Sequence, residues 1–116
     1  MKIPRTSDAI ISREKITDYL LNAAHPDNGG KAAFFQELGF TVANWPLFAA
    51  ALRKVAENFT PANTVESLHG TKYILDGKLE TPGGKKPNVR TIWIIDGGSN
   101  KPRLVTAYPQ NEKEKL

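Results

Sequence analysis

The sequence predicts an α+β fold in which N-terminal helices pack on a C-terminal, four-stranded, mainly antiparallel sheet. Three observations carry this reading. As far as Pro61, apolar residues recur at spacings of three and four, the signature of a helix with one buried face. After Pro61, β-branched and aromatic residues crowd into short runs bounded by Gly, Pro and Asn, the signature of strands joined by turns. Helices and strands are segregated rather than alternating, and the connections between strands are short, so the strands return antiparallel. A chain of 116 residues with 40% hydrophobic content suits one domain, residues 1–116, with one core and with 1–9 and 110–116 as flexible ends.

Ser12 is placed to cap the first helix, with Ile16, Tyr19 and Leu20 on its apolar face, and the helix runs to about Leu21. "HPDNGG" ends it, since Pro26 and Gly29-Gly30 are poor helix interiors. The second helix spans about Lys31 to Leu38, with Phe34, Phe35 and Leu38 apolar and Gly39 as its C-terminal cap. The third begins at Trp45-Pro46, where proline fits a first turn, and carries the stripe Trp45, Phe48, Leu52, Val55 and Phe59. A stripe of this kind is core material. Two strands, "TVESL" and "TKYILDGKLET", flank a turn or bulge at His69-Gly70. "NVRTIWIID" has a near-continuous apolar middle, which predicts a central strand covered on both faces. "RLVTAYP" is the last strand, ended by Pro109. Strict alternation puts Arg90, Ile92 and Ile94 on one face of the third strand and groups Leu104, Thr106 and Tyr108 on one face of the fourth.

Composition narrows the function. With no cysteine there is neither a disulfide framework nor a cysteine metal site. The start "MKIPRTSD" lacks the apolar run of a signal peptide, and no stretch reaches the ~18 apolar residues of a membrane span, so a cytoplasmic chain without membrane contact is expected. The net charge of +4 has one source. Residues 70–103 carry seven Lys and Arg against three Asp and Glu, while the rest of the chain is balanced. A local cationic surface attracts polyanions, nucleic acid first among them. A solvated strand surface with ordinary lysines would read the same way.

Residues 23–35, "AAHPDNGGKAAFF", interrupt helix with an unusual set of residues. The triplet His25-Pro26-Asp27 resembles the signature of chaperone J-domains. That fold places it between two long antiparallel helices, the upstream one basic. Here the upstream "SREKITDYLLNAA" is short and nearly neutral, and the downstream helix is broken at "LGFTVANWP". "NGGKA" is not a phosphate-binding P-loop either, because it lacks the first glycine and the Ser/Thr after lysine, and it follows a helix. The two histidines lie on different elements without clustered carboxylates, so a metal centre is not expected.

Taken with the basic strands, the loop reads differently. His25 is a proton donor or acceptor near neutral pH. Lys31 sits near a helix start, where the dipole disfavours it, so a phosphate contact gives it a reason to be there. His25, Lys31, Arg90, Thr106 and Tyr108 form a set suited to phosphodiester cleavage without metal. One group takes the 2′-hydroxyl proton and another protonates the leaving 5′-oxygen. Cations and hydroxyls then hold the charge on the phosphorane oxygens. Lys72, Tyr73, Lys85, Lys86 and Arg103 are candidate substrate-binding residues from the basic segment. Each member also has a plain structural reading: His25 as a helix cap, Lys31 as a solvated lysine, Arg90 as a partner of Asp76 or Glu80, Thr106 and Tyr108 as ordinary sheet residues.

Three stretches, "KITDYLLNAAHPDNGGKAAFFQELGFTVANWPLFAAAL", "GTKYILDGKLETPGGKKPNVRTIWII" and "PRLVTAYP", resemble a small bacterial family of uncharacterised function, over about residues 10–109. The layout also resembles the barnase, EndoU, colicin D and RelE group of metal-independent ribonucleases, many of them toxins of toxin–antitoxin or contact-dependent systems. The resemblance implies helices bearing a His or Lys ahead of a four-stranded sheet, with polar residues of a last strand like "VTAYP" in the site. On this chain those are His25, Lys31, Arg90, Thr106 and Tyr108. It implies an RNA substrate, tRNA included, no cofactor, and an acidic antitoxin or immunity protein as cognate partner. The runner-up is a non-catalytic module that binds nucleic acid, or an antitoxin or immunity protein. The chain departs from the group in having no second well-placed histidine, since His69 sits in a turn. The acid–base pair is left open.

Overall fold

The computed structural model describes residues 8–25, 30–59 and 61–110. Its architecture is the predicted α+β arrangement, helices followed by a four-stranded antiparallel sheet. Of "HPDNGG", Pro26 to Gly29 lie outside the described residues, as do the extreme ends, 1–7 and 111–116.

The first helix starts as expected, with the Lys15 amide donating to Ser12 Oγ at 3.1 Å. It then widens into a π-helical turn, Lys15–Leu20, in which the Leu21 amide reaches the Ile16 carbonyl at 2.9 Å. Thr17 Oγ1 donates back to the Arg13 carbonyl, one of the local bonds that compete with a regular helix ladder. Ile16 and Leu20 are fully buried, while Tyr19 is half-buried. Helix α1, Lys31–Glu37, buries Ala32 and Phe35. It ends at Gly39 with φ of +102°, where the Gly39 amide donates to the Gln36 carbonyl and the Phe40 amide to the Phe35 carbonyl. That pair of bonds is a Schellman ending, which requires the left-handed conformation glycine adopts without strain. Helix α2, Trp45–Asn58, buries Phe48, Leu52 and Val55, with Trp45 and Phe59 packed at the margins of the core.

The strands are β1 (Asn63–Ser67), β2 (Gly70–Lys78), β3 (Asn88–Asp96) and β4 (Arg103–Pro109), in the order β1-β2-β3-β4, each antiparallel to its neighbour. Val89, Thr91 and Trp93 of β3, Leu75 and Gly77 of β2, and Leu104 and Ala107 of β4 are buried against the helices. Gly77 is required for space: a Cβ there would lie 2.6 Å from the Phe59 ring. Phe48 stacks on Phe40 at 4.5 Å between ring centroids and tilts on Phe35 at 4.7 Å. The one fully buried polar side chain among the described residues, Thr91, is satisfied twice. It donates to the Leu75 carbonyl at 3.1 Å and accepts from Trp93 Nε1 at 2.9 Å.

Two expectations need correction. β3 is central, but Ile92 and Ile94 remain half-buried, so only one of its faces is fully covered. Its continuous apolar run comes from large β-branched residues lying on the second face. Leu104 does not share a face with Thr106 and Tyr108. The β3–β4 register shifts between Ile92 and Trp93, so that Leu104 opposes Trp93 while Thr106 opposes Ile92. Val105 is the extra residue of a β-bulge, which sends Leu104 into the core and Thr106 and Tyr108 to the other face.

Core and buried polar pair give separable stability effects. Phe48→Ala is expected to lower unfolding free energy by about 3–5 kcal/mol. Thr91→Val, which strands the Trp93 N–H, is expected to lower it by about 1–3 kcal/mol. Denaturant unfolding of both variants measures this, and a Thr91→Val protein as stable as wild type would show that the pair contributes nothing.

Candidate functional site

Cross-strand partners share a face of a sheet, so the register defines what the less covered face presents. Tyr108, Arg90 and Asp76 form one row; Thr106, Ile92 and Ile74 form the next; Arg103, Ile94 and Lys72 form a third beyond the bulge. At the β4 edge the π-helical turn and the start of α1 bring Tyr19 and Lys31 against this face.

The centre of the cluster is the Tyr19 hydroxyl. Lys31 Nζ donates to it at 2.5 Å, and it lies 3.3 Å from Thr106 Oγ1. Lys31 Nζ is also 4.8 Å from the Tyr19 ring centroid and 5.8 Å from that of Tyr108. Lys15, one turn before Tyr19, holds its ammonium 5.2 Å from the same ring. His25 packs edge-on against Tyr19 with ring centroids 5.0 Å apart. Gly30, at φ of +87°, precedes Lys31, a backbone geometry that glycine adopts freely.

Arg90 is held by Asp76 in a two-point pair, Nε to Oδ1 at 2.7 Å and Nη2 to Oδ2 at 2.8 Å, and Gln110 Nε2 adds a third bond to Asp76 at 3.1 Å. Asp76 foremost, with a smaller contribution from Tyr108, raises the Arg90 pKa still further, so Arg90 is a permanent cation. Burial pushes the Tyr19 phenol up, but the hydrogen bonds from Lys31 and Thr106 and the charges of Lys31 and Lys15 outweigh it, leaving its pKa below the ordinary 10.0. Among the described residues, no three His, Asp or Glu side chains come together as a metal-binding group.

Of the five candidate catalytic residues, Lys31 and Thr106 meet at the Tyr19 hydroxyl, the Tyr108 ring centroid lies 5.8 Å from Lys31 Nζ with Arg90 of β3 opposite it, and His25 packs on the Tyr19 ring. The candidate binding residues scatter. Lys72 and Arg103 lie on the same face as the cluster, Arg103 paired with Asp96 at 2.7 Å, which holds the Asp96 carboxyl below its usual range. Tyr73 points the other way and packs against the core opposite Trp93. Lys85 lies beside Glu37 and Leu38, and Lys86 beside Lys54 and Asn58, so both border the helices. Sequence reasoning passed over Tyr19 because its helical spacing with Ile16 and Leu20 reads as core. The available signal was Lys15 four residues before it, a cation placed over an aromatic ring on one helix face.

A family model described as a domain of unknown function (DUF6883) matches residues 2–111, and the chain belongs to that family. No curated protein matches the sequence. Among solved structures, the chain is similar to one from a "Contact-dependent growth inhibition toxin - immunity protein complex from Klebsiella pneumoniae 342", with a TM-score of 0.71 and 17% identity over 91% of this chain and 97% of that one. At that identity the likeness is one of fold. No helix among the described residues is long and apolar enough to cross a membrane.

The Tyr19 environment has a measurable pH signature. Because the folded phenol loses its proton more readily than the unfolded one, its stabilising contribution emerges as pH rises through the folded pKa and is complete only above the unfolded value. The difference in phenolate absorbance between wild type and Tyr19→Phe is expected to titrate below 10.0, the ordinary value. Lys31→Met is expected to move that midpoint upward, and an unmoved midpoint would show that Lys31 is not the cause.

Proposed function

We propose that this DUF6883 protein is a ribonuclease of the toxin type that cleaves RNA by attack of the 2′-hydroxyl on the adjacent phosphodiester, with the protein's own cations in place of a metal. The observation that carries the reading is the convergence of Lys31, Tyr19, Thr106, Tyr108 and Arg90 at one sheet edge with His25 against them. Such a cluster meets the needs of the reaction. A phosphorane carries more negative charge than the diester, and fixed ammonium, guanidinium and hydroxyl groups stabilise that increase without reorganising. One Lys31 proton is engaged by Tyr19, which leaves two donors for phosphate oxygens. Arg90, anchored by Asp76, presents its charge at a set position beside Tyr108. His25, against the Tyr19 ring, is the imidazole assigned to proton transfer.

The fold likeness to a structure titled as a toxin–immunity complex supports the toxin reading, and an acidic immunity-type or antitoxin protein is the partner that suits the net positive charge. The RNA such a protein meets is cytoplasmic, and tRNA is one substrate. The same likeness, together with an Arg90 already engaged by Asp76, favours a second reading: a non-catalytic binding module for nucleic acid or for a toxin or immunity partner.

Purified protein is expected to cleave total RNA or tRNA in EDTA and to leave 2′,3′-cyclic phosphate ends, while RNA with 2′-deoxyribose at the cut position resists. His25→Ala is expected to lower the rate about 10²–10⁴-fold with the fold retained. RNA affinity is expected to fall steeply with salt. If binding is strong and salt-dependent but no RNA is cut, the binding-module reading replaces this one.

A further inference from the structure

We propose that the Tyr19 hydroxyl is the general acid of this site, the partner of His25 in the cleavage step; the assignment rests on the ribonuclease reading above. Transesterification needs two proton transfers. As the 2′-oxygen forms its bond to phosphorus, its proton leaves to a base. As the bond from phosphorus to the 5′-oxygen breaks, that oxygen takes a proton from an acid. The products are a 2′,3′-cyclic phosphate and a 5′-hydroxyl, and the protein ends with the proton moved from one group to the other.

The second group is not His69. It sits in the turn between β1 and β2, two or more strand spacings from β4, or roughly 10 Å away. Asp76 is committed to Arg90 and Gln110. Tyr19 is in place: its oxygen lies between Lys31 Nζ and Thr106 Oγ1, and its ring meets His25 at 5.0 Å.

The role follows from its neighbours. Lys31 is an ammonium with donors only, so the Tyr19 oxygen accepts from it and keeps its own proton to give. Among the described residues, the charged groups facing Tyr19 include Lys15 from its own helix and Lys31 from α1; His25 packs on its ring, and Tyr108 of β4, backed by Arg90 of β3, lies beyond Lys31. Cations next to a base weaken it. Cations next to an acid stabilise the phenolate formed as the proton departs, so the arrangement favours donation. Tyr19 is the acid, His25 the base, and Lys31 acts on this step through Tyr19.

The test separates an acid from a positioning group. Tyr19→Phe keeps the ring and removes the proton. On ordinary RNA it is expected to cleave at least ~10²-fold more slowly than wild type. On an RNA analogue whose scissile 5′-oxygen is replaced by sulfur, a leaving group that needs no proton, its rate is expected to return to within a few-fold of wild type, whereas His25→Ala stays slow. Replacement of Tyr19 by a fluorotyrosine, which is more acidic, is expected to move the alkaline limb of the pH–rate profile to lower pH. Tyr19→Phe slow on both substrates, Tyr19→Phe unimpaired on RNA, or an unmoved limb would each overturn the assignment while leaving the ribonuclease reading intact. Wild-type protein that cuts neither substrate would overturn the ribonuclease reading, and this proposal with it.

Discussion

The constraint on which the site depends is a conflict within β4. Leu104 and Ala107 are both buried in the core, yet they are three residues apart, and in an unbroken strand an odd spacing places side chains on opposite faces. The bulge at Val105 resolves this by adding one residue on the β4 side. Leu104 and Ala107 then both reach the helices, and Thr106 and Tyr108 are turned to the other face in register with Ile92 and Arg90. Without the bulge one of the two groups would be misplaced. Either Leu104 would leave the core, or Thr106 would turn away from Tyr19 and Tyr108 away from Arg90. The packing of the core and the assembly of the site are therefore one geometric solution.

The helices supply the other half by the same economy. Ile16 and Leu20 anchor the π-helical turn in the core, and Phe35 anchors α1. Tyr19 and Lys31 are carried on these anchored backbones but are themselves only half-buried, so that the Tyr19 hydroxyl meets Thr106 and the Lys31 ammonium meets Tyr19. A half-buried setting strengthens the Lys31–Tyr19 contact relative to open water without the full cost of removing a charge from solvent. It also explains why the phenol is shifted by Lys31 and Lys15 together, although burial alone would shift it the opposite way.

Much of this was legible in the sequence, because element type follows from periodicity. The α2 stripe of Phe48, Leu52 and Val55, the Gly39 ending of α1, the Ser12 cap and the four strands follow from local rules, and the residues obey them. The five polar candidates follow from their chemistry taken together, while Arg90 also takes its plain reading as the partner of Asp76. Two features were not. A bulge leaves no mark in a run such as "RLVTAYP", because both Val105 and Thr106 suit a strand, and only the demand for two buried residues at odd spacing reveals it. Tyr19 is amphipathic, and its apolar ring satisfied the helical pattern so well that its hydroxyl went unread.

The charge pattern also gains meaning once placed. Within the basic segment, Arg90 and Arg103 are matched by Asp76 and Asp96. The guanidinium groups are therefore the oriented, ion-paired part of the surface, fixed by two-point pairs across or beside the strands. Lys72, Lys85, Lys86 and Lys101 form no ion pair among the described residues, and all four are exposed. The net positive field thus comes from exposed lysines spread over more than one side of the sheet, while local geometry comes from arginines already held in place. Diffuse lysine charge gathers a polyanion from a distance without selecting its orientation. Orientation must then come from the rigid groups at the β4 edge: Arg90 held by Asp76, and Lys31 held by Tyr19. Capture and positioning are divided between different residues, which is why the candidates drawn from charge alone scattered over the surface while those drawn from chemistry converged.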